Sequence, residues 1–171
     1  MKRIWGLLPA VLLTIAAPLC AAQPQEAMPS PLGSLARTVV KLPLAKNVGM
    51  DDAVESMKLR ANMLNMKLVG ELPLSKQVAA MTGKPQRRMD IYQFCDPVTA
   101  KQMVDSNIDF AAYLPCRIAL VEDEQGQGWL VMMDLNILIN IANLDPKLKE
   151  KAIEVRDKLQ DIMKAGANGE L

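Results

Sequence analysis

The chain has 171 residues, with 20 Lys and Arg against 19 Asp and Glu and not one histidine. A charge so close to balance argues against an electrostatic nucleic-acid binder. The missing histidine excludes a Ser-His-Asp triad, a histidine-zinc centre and a His-ligated haem.

Lys2 and Arg3 precede an apolar run over residues 6–17, and small residues follow it up to Ala22. These are the three parts of a secretory signal peptide, so residues 1–22 are expected to be removed, leaving Gln23 first. The run falls short of the about 20 residues a membrane span needs, which disfavours an uncleaved anchor. Cys20 follows Pro18-Leu19 rather than a small residue, which disfavours a lipid anchor. The expected product is periplasmic and soluble, about 149 residues long, with 18 basic against 19 acidic side chains. Nothing later in it is apolar enough to cross a membrane. That length is enough for one domain with a real core.

Residues 23–36, with Pro24, Pro29, Pro31 and Gly33, read as a flexible tether. One domain is expected over residues 37–166, followed by a short tail at 167–171. Residues 37–44 are β-branched and end at Pro43, which predicts a first strand. Asp51 is placed to cap a helix whose face carries Val54, Met57, Ala61 and Leu64. Residues 66–72 predict a short strand. A short helix then runs from Pro73 to Gly83, with Leu74, Val78 and Met81 on one face.

Residues 87–95 predict a strand on which Met89, Ile91 and Cys95 alternate with Tyr92 and Phe94. Asp96-Pro97 predicts a helix start, the Asp as cap and the Pro at the first helical position. Ala100, Met103 and Val104 follow on one side, and a helical turn over 107–113 comes next. Cys116, Ile118 and Leu120 alternate with Arg117, Ala119 and Val121, and the return strand runs from Trp129 to Leu135. Between them lies the acidic, glycine-bearing turn 123–128. Asp145-Pro146 opens a last helix reaching Gly166, with Leu148, Ala152, Val155, Leu159 and Ile162 as its apolar stripe. This order of elements predicts an α+β fold, an antiparallel sheet with helices packed on one face.

Cys95 ends one predicted strand and Cys116 begins another. In an oxidising compartment two such thiols tend to pair. If both point into the core from neighbouring antiparallel strands, a disulfide can form, closing a loop of about 21 residues and adding roughly 3 kcal/mol. Two alternatives stay open: buried free thiols packing as small hydrophobes, or a redox-active or metal-binding pair. Nothing resembles Cys-x-x-Cys, which weakens the redox reading.

Other chemistry is sparse. Glu122, Asp123 and Glu124 sit at a turn where nothing would desolvate them, so a solvated turn is the better reading. Arg87-Arg88 beside Lys84 reads as a solvated loop. Gly126-x-Gly128 lacks the helix and Lys-Ser/Thr of a phosphate loop. Met57, Met63, Met66, Met132 and Met133 raise the alternative of a Cu(I) site, with Met63 and Met66 one helical turn apart. The plainer reading is that methionine fills core gaps in a chain with 4% aromatics. No catalytic residue, no resident metal and no cofactor are indicated.

Three stretches carry a family resemblance over about residues 38–138. They are the helix opening Asp51-Asp52-Ala53-Val54, the phrase Ile91-Tyr92-Gln93-Phe94-Cys95-Asp96-Pro97, and the phrase Leu114-Pro115-Cys116-Arg117-Ile118-Ala119-Leu120-Val121-Glu122-Asp123. On these the chain resembles the bacterial family of domain of unknown function 302. The resemblance implies a curved antiparallel sheet with helices on one face, like one half of a TATA-binding protein. It also implies a homodimer, no DNA binding and no established reaction. Cysteine at both position 95 and position 116 departs from the family pattern, and marks the pair as a speciality of an exported branch. The expected role is a periplasmic binding or accessory protein for an unknown small ligand or partner protein. Tyr92, Asp96, Tyr113 and Arg117 are its candidate ligand-lining groups, near the Asp96-Pro97 and Leu114-Pro115 corners. A thiol-disulfide protein using Cys95 and Cys116 is the rival reading.

Overall fold

A computed structural model describes residues 35–170. The expected leader, Cys20 and most of the expected tether lie outside those residues. Five strands, β1 (Val39–Pro43), β2 (Lys67–Leu72), β3 (Met89–Cys95), β4 (Cys116–Glu122) and β5 (Gly128–Met133), form one sheet in the order β1-β5-β4-β3-β2. Every neighbouring pair is antiparallel. The helices are α1 (Met50–Met63), α2 (Leu74–Thr82), α3 (Pro97–Ser106), α4 (Leu135–Ile141) and α5 (Pro146–Asn168), with a 3-10 segment at Ile108–Tyr113. The α+β class expected from the sequence is therefore what the chain adopts. No helix among the described residues is long and apolar enough to cross a membrane.

The main core lies between one sheet face and the pair α1 and α5. Phe94, Ile118, Leu120 and Leu130 meet Met57 and Ala61 of α1 and Leu159, Ile162 and Met163 of α5. Alternation along the strands sends every second residue into this layer. A smaller cluster joins Met103 of α3, Phe110, Ile139 of α4, and Leu148 and Ala152 of α5. It covers the sheet end where Cys95 and Cys116 lie.

Local signals explain most helix ends. Asp96 accepts hydrogen bonds from the Val98 and Thr99 amides, both at 3.1 Å, and Asp145 accepts one from the Leu148 amide. The start of α1 differs from expectation. Gly49 is the cap, and its amide donates to the Asp52 carboxylate. Asp51 falls inside the first turn, where its carboxylate is free to reach sideways. α1 closes with Asn65 in the left-handed region (φ 56°), the Met66 amide donating to the Ala61 carbonyl and the Asn65 amide to the Asn62 carbonyl. Asn tolerates that conformation and completes a Schellman end. α5 closes the same way at Gly169, three residues beyond the expected Gly166, so the expected tail begins inside the helix.

Two elements depart further. α2 forms as expected, but none of its residues is buried, and Met81 is 87% exposed. Its apolar face has no layer to meet at the sheet rim. α4 was not expected: the return strand ends at Met133, and Asp134 caps a new helix by accepting from the Asn136 amide. Residues 135–141 are as rich in apolar residues as the strand, and Asp134 is the one local signal of the change of conformation.

Candidate functional site

The corners between β3 and α3 and between the 3-10 segment and β4 enclose a cavity of about 70 Å³. Cys95 and Asp96 approach from the first corner, Tyr113 and Cys116 from the second, and Leu135, Leu138 and Val155 close it from α4 and α5. A single water needs about 10–15 Å³ by the same kind of measure, so there is room for a small organic group. Two of its polar neighbours, Asp96 and Thr99, are paired with each other. The Asp96 carboxylate accepts from two amides and from the Thr99 hydroxyl at 3.0 Å. The site is therefore a largely apolar container whose one carboxylate is satisfied within the protein.

Of the residues expected at a ligand site, Asp96 and Tyr113 line this cavity together with both cysteines. Tyr92 does not: it faces the main core, and its hydroxyl accepts from Arg88 Nη2 at 3.2 Å on another side of the molecule. Arg117 is exposed on the helix-free sheet face, where it borders a groove that Tyr113 and Cys116 also line.

The alternation argument for the cysteines needs correction. Phe94, not Cys95, stands opposite Cys116 across β3 and β4. The buried row of β3 is Asp90, Tyr92 and Phe94, so Cys95 falls in the row with Met89 and Ile91, which faces away from the helices. Phe94 outcompetes Cys95 for the core because it removes far more apolar area from water. Cys95 still borders the cavity because it is the last strand residue before the chain turns into α3. Both thiols are free. Burial pushes the Cys116 thiol up to about 11, with nearby Cys95 adding to the effect and Arg117 opposing it. Burial, then the Asp96 carboxylate, raises Cys95 as well.

A second constellation was missed by sequence reasoning. Arg88, expected in a solvated loop, donates from Nε to Asp90 at 2.8 Å, from Nη1 to Asp51 and from Nη2 to the Tyr92 hydroxyl. Ser75 completes Asp90 with a 3.0 Å hydrogen bond, and the Arg88 amide donates to the Glu122 carboxylate. The Asp90 side chain is 7% exposed. Burial opposes the charge on Arg88, but its hydrogen bonds to Asp51, Asp90 and Tyr92 outweigh that and raise its pKa. The network ties the N-termini of α1 and α2 to β3 and to the β4–β5 hairpin, and its internal pairing marks it as a cross-link. The available signal was the alternation itself: Asp90 shares a row with Tyr92 and Phe94.

Of the three carboxylates expected in a solvated turn, only Glu124 is exposed; Glu122 ends β4 and is half-buried beside Arg88, because the hairpin folds back on that network. Asp123 accepts from the Gln125 and Gln127 amides and from Trp129 Nε1 at 2.7 Å, and the Trp129 bond holds its carboxyl below the usual range. The methionines named for a Cu(I) site divide between core and surface. Met57, Met66 and Met132 are buried in the core, while Met63 is 77% exposed. The left-handed turn at Asn65 separates Met63 from Met66, which are not one helical turn apart as expected.

The family described as a domain of unknown function, DUF302, matches residues 40–166. This chain belongs to the DUF302 family. Its structure is similar to the crystal structure of an uncharacterized conserved DUF302 protein from Bacillus stearothermophilus, with a TM-score of 0.63 and 18% identity. The likeness covers 75% of this chain and 97% of that one. No curated protein matches the sequence significantly. The cavity walls of this DUF302 protein, residues 95 to 155, lie inside the matched span.

Proposed function

We propose that this DUF302 protein is a periplasmic binding protein that holds a small apolar group in the cavity between α3, α4, α5 and the sheet. The observation that carries this reading is the cavity itself: about 70 Å³ of space with apolar walls, whose polar neighbour Asp96 is satisfied within the protein. Apolar cavities can take up apolar guests such as benzene or xenon. At this size xenon or a short alkyl segment fits. Methyl NMR under xenon pressure tests the reading. Shifts are expected at Leu135, Leu138 and Val155, and Ala100→Leu, which adds bulk at the wall, is expected to remove them while the fold persists. Shifts that survive in a folded Ala100→Leu protein, or that appear elsewhere, overturn it.

The cysteine pair supports a second, compatible reading. Both thiols border one cavity, and in the oxidising compartment that residues 1–22 specify, we propose that they close into a structural bond. A working redox pair needs a depressed thiol pKa, and both are raised here. The same raised values mean that burial favours the neutral thiol. Reduced Cys116 is therefore expected to alkylate more slowly at pH 8 than a free cysteine, with the rate climbing toward pH 11. Intact mass of unreduced periplasmic protein reads both proposals. An N-terminus at Gln23 and no alkylatable thiol support them; a retained leader overturns export, and two free thiols overturn the bond. The homodimer rests on the family resemblance, and sedimentation showing a monomer at every concentration would remove it.

A further inference from the structure

β4 and β5 are paired only between Glu122↔Gly128 and Ala119↔Val131. Beyond Ala119, β4 stays with β3 as far as Cys116, while β5 stays with β1 as far as Met133. The sheet therefore opens as a wedge between two of its central strands. Paired strands leave no such gap, because each continues to satisfy its neighbour's backbone groups. The wedge is bordered by Tyr113, Cys116 and Leu135, and these same three residues line both the cavity and a groove of about 390 Å³ that reaches the helix-free sheet face. Outer groove walls include Val39, Ile91 and Val131. Tyr113, Cys116 and Leu135 thus stand as the shared wall between the cavity and a groove on the exposed side.

Arg117 borders that groove. It is exposed, and among the described residues its side chain takes part in no ion pair or hydrogen bond. Among the same residues, Arg156, Arg88, Arg87 and Arg60 have carboxylate partners, whereas exposed Arg37, like Arg117, has none. A guanidinium left free beside an apolar groove complements a carboxylate in both charge and fork geometry.

Resting on the apolar-container reading, we infer that the ligand is an aliphatic monocarboxylate, with its head on Arg117 and its chain threaded through the β4–β5 wedge into the cavity. The cavity takes the methyl end and the groove takes the middle of the chain. A ligand so placed is recognised by length and by one negative charge.

Titration calorimetry of the full processed protein with octanoate, octanol and octylammonium tests this. Octanoate is expected to bind about tenfold more tightly than octanol, and octylammonium not at all. Arg117→Gln is expected to bring octanoate down to the level of octanol. This substitution is on an exposed side chain, so the thermal midpoint serves as the control for folding. Ala100→Leu is expected to weaken octanoate and octanol alike. Equal binding of octanoate to the parent and to Arg117→Gln overturns the inference while leaving the xenon result and the container standing. Octanoate binding that Arg117→Gln removes but Ala100→Leu does not touch also overturns it, by placing the chain outside the cavity. So does a dimer in which a second copy covers Arg117 and octanoate fails to bind. Loss of the xenon shifts in the parent protein would instead remove the container reading on which the inference stands.

Discussion

Gly166→Val is expected to cost more than about 3 kcal/mol or to prevent folding, and Gly166→Ala to cost about 1–2 kcal/mol. A Cβ at this position would stand 2.5 Å from Met57 Cγ, 3.0 Å from the Ala53 carbonyl oxygen and 3.0 Å from Leu130 Cδ1. The Met57 Cγ methylene can give way only by a rotamer change within a fully buried core, and the Ala53 carbonyl belongs to the α1 backbone and cannot move at all. α5 would have to lift from α1 and from β5 together. Alanine also gains about 1 kcal/mol of helix propensity over glycine, so any net loss understates the clash. Urea denaturation of both variants measures the effect. A Gly166→Ala protein as stable as the parent would show slack between the helices. A cycle with Met57→Ala separates the two obstacles. If the side chain is the main one, the alanine variant costs less in that background; if the carbonyl is, the cost persists.

Arg88→Met is expected to destabilise the protein by about 3 kcal/mol, the lower end for breaking a buried ion pair, since the arginine keeps a quarter of its exposure. The loss comes mainly from the carboxylate left behind. Asp90 is almost fully enclosed, and without Arg88 it keeps only the Ser75 hydrogen bond. Asp51 contributes little, because it is 90% exposed and water replaces the arginine there. Arg88→Met combined with Asp90→Leu is expected to recover most of the loss, because an apolar pair carries no desolvation penalty. A loss below about 1 kcal/mol for the single variant would class the contact with surface pairs. Failure of the double variant to recover would mean that the network also directs the packing of α2, whose N-terminal Ser75 reaches Asp90.

These two positions show how legibility divides. Gly166 was legible as a glycine near a helix end, and the helix runs past it to Gly169. A left-handed end and a close helix crossing both call for glycine, and only the position of α1 distinguishes them. Arg88 was legible as a charge in a turn-rich stretch. Its partners lie 37 residues upstream at Asp51 and two residues along a strand whose alternation alone does not say which row is buried. The site divides in the same manner. Cys95, Asp96, Tyr113 and Cys116 do converge on one cavity, because two strand ends and their corners meet there. Tyr92 was placed with them only by nearness in sequence, and strand alternation carries it to the core beneath Arg88.

Residues acting on near neighbours spoke through their order alone: Asp96-Pro97 and Asp145-Pro146 start helices by capping amides two or three positions on, and alternation over 116–122 makes a half-buried strand. The α+β class follows from the succession of such elements. Which face of β3 is buried, where β4 and β5 part, and whether an arginine is paired or free depend on groups tens of residues away. Such contacts exist only once α1 and α5 cover the sheet, since burial and backbone pairing are properties of the packed layers.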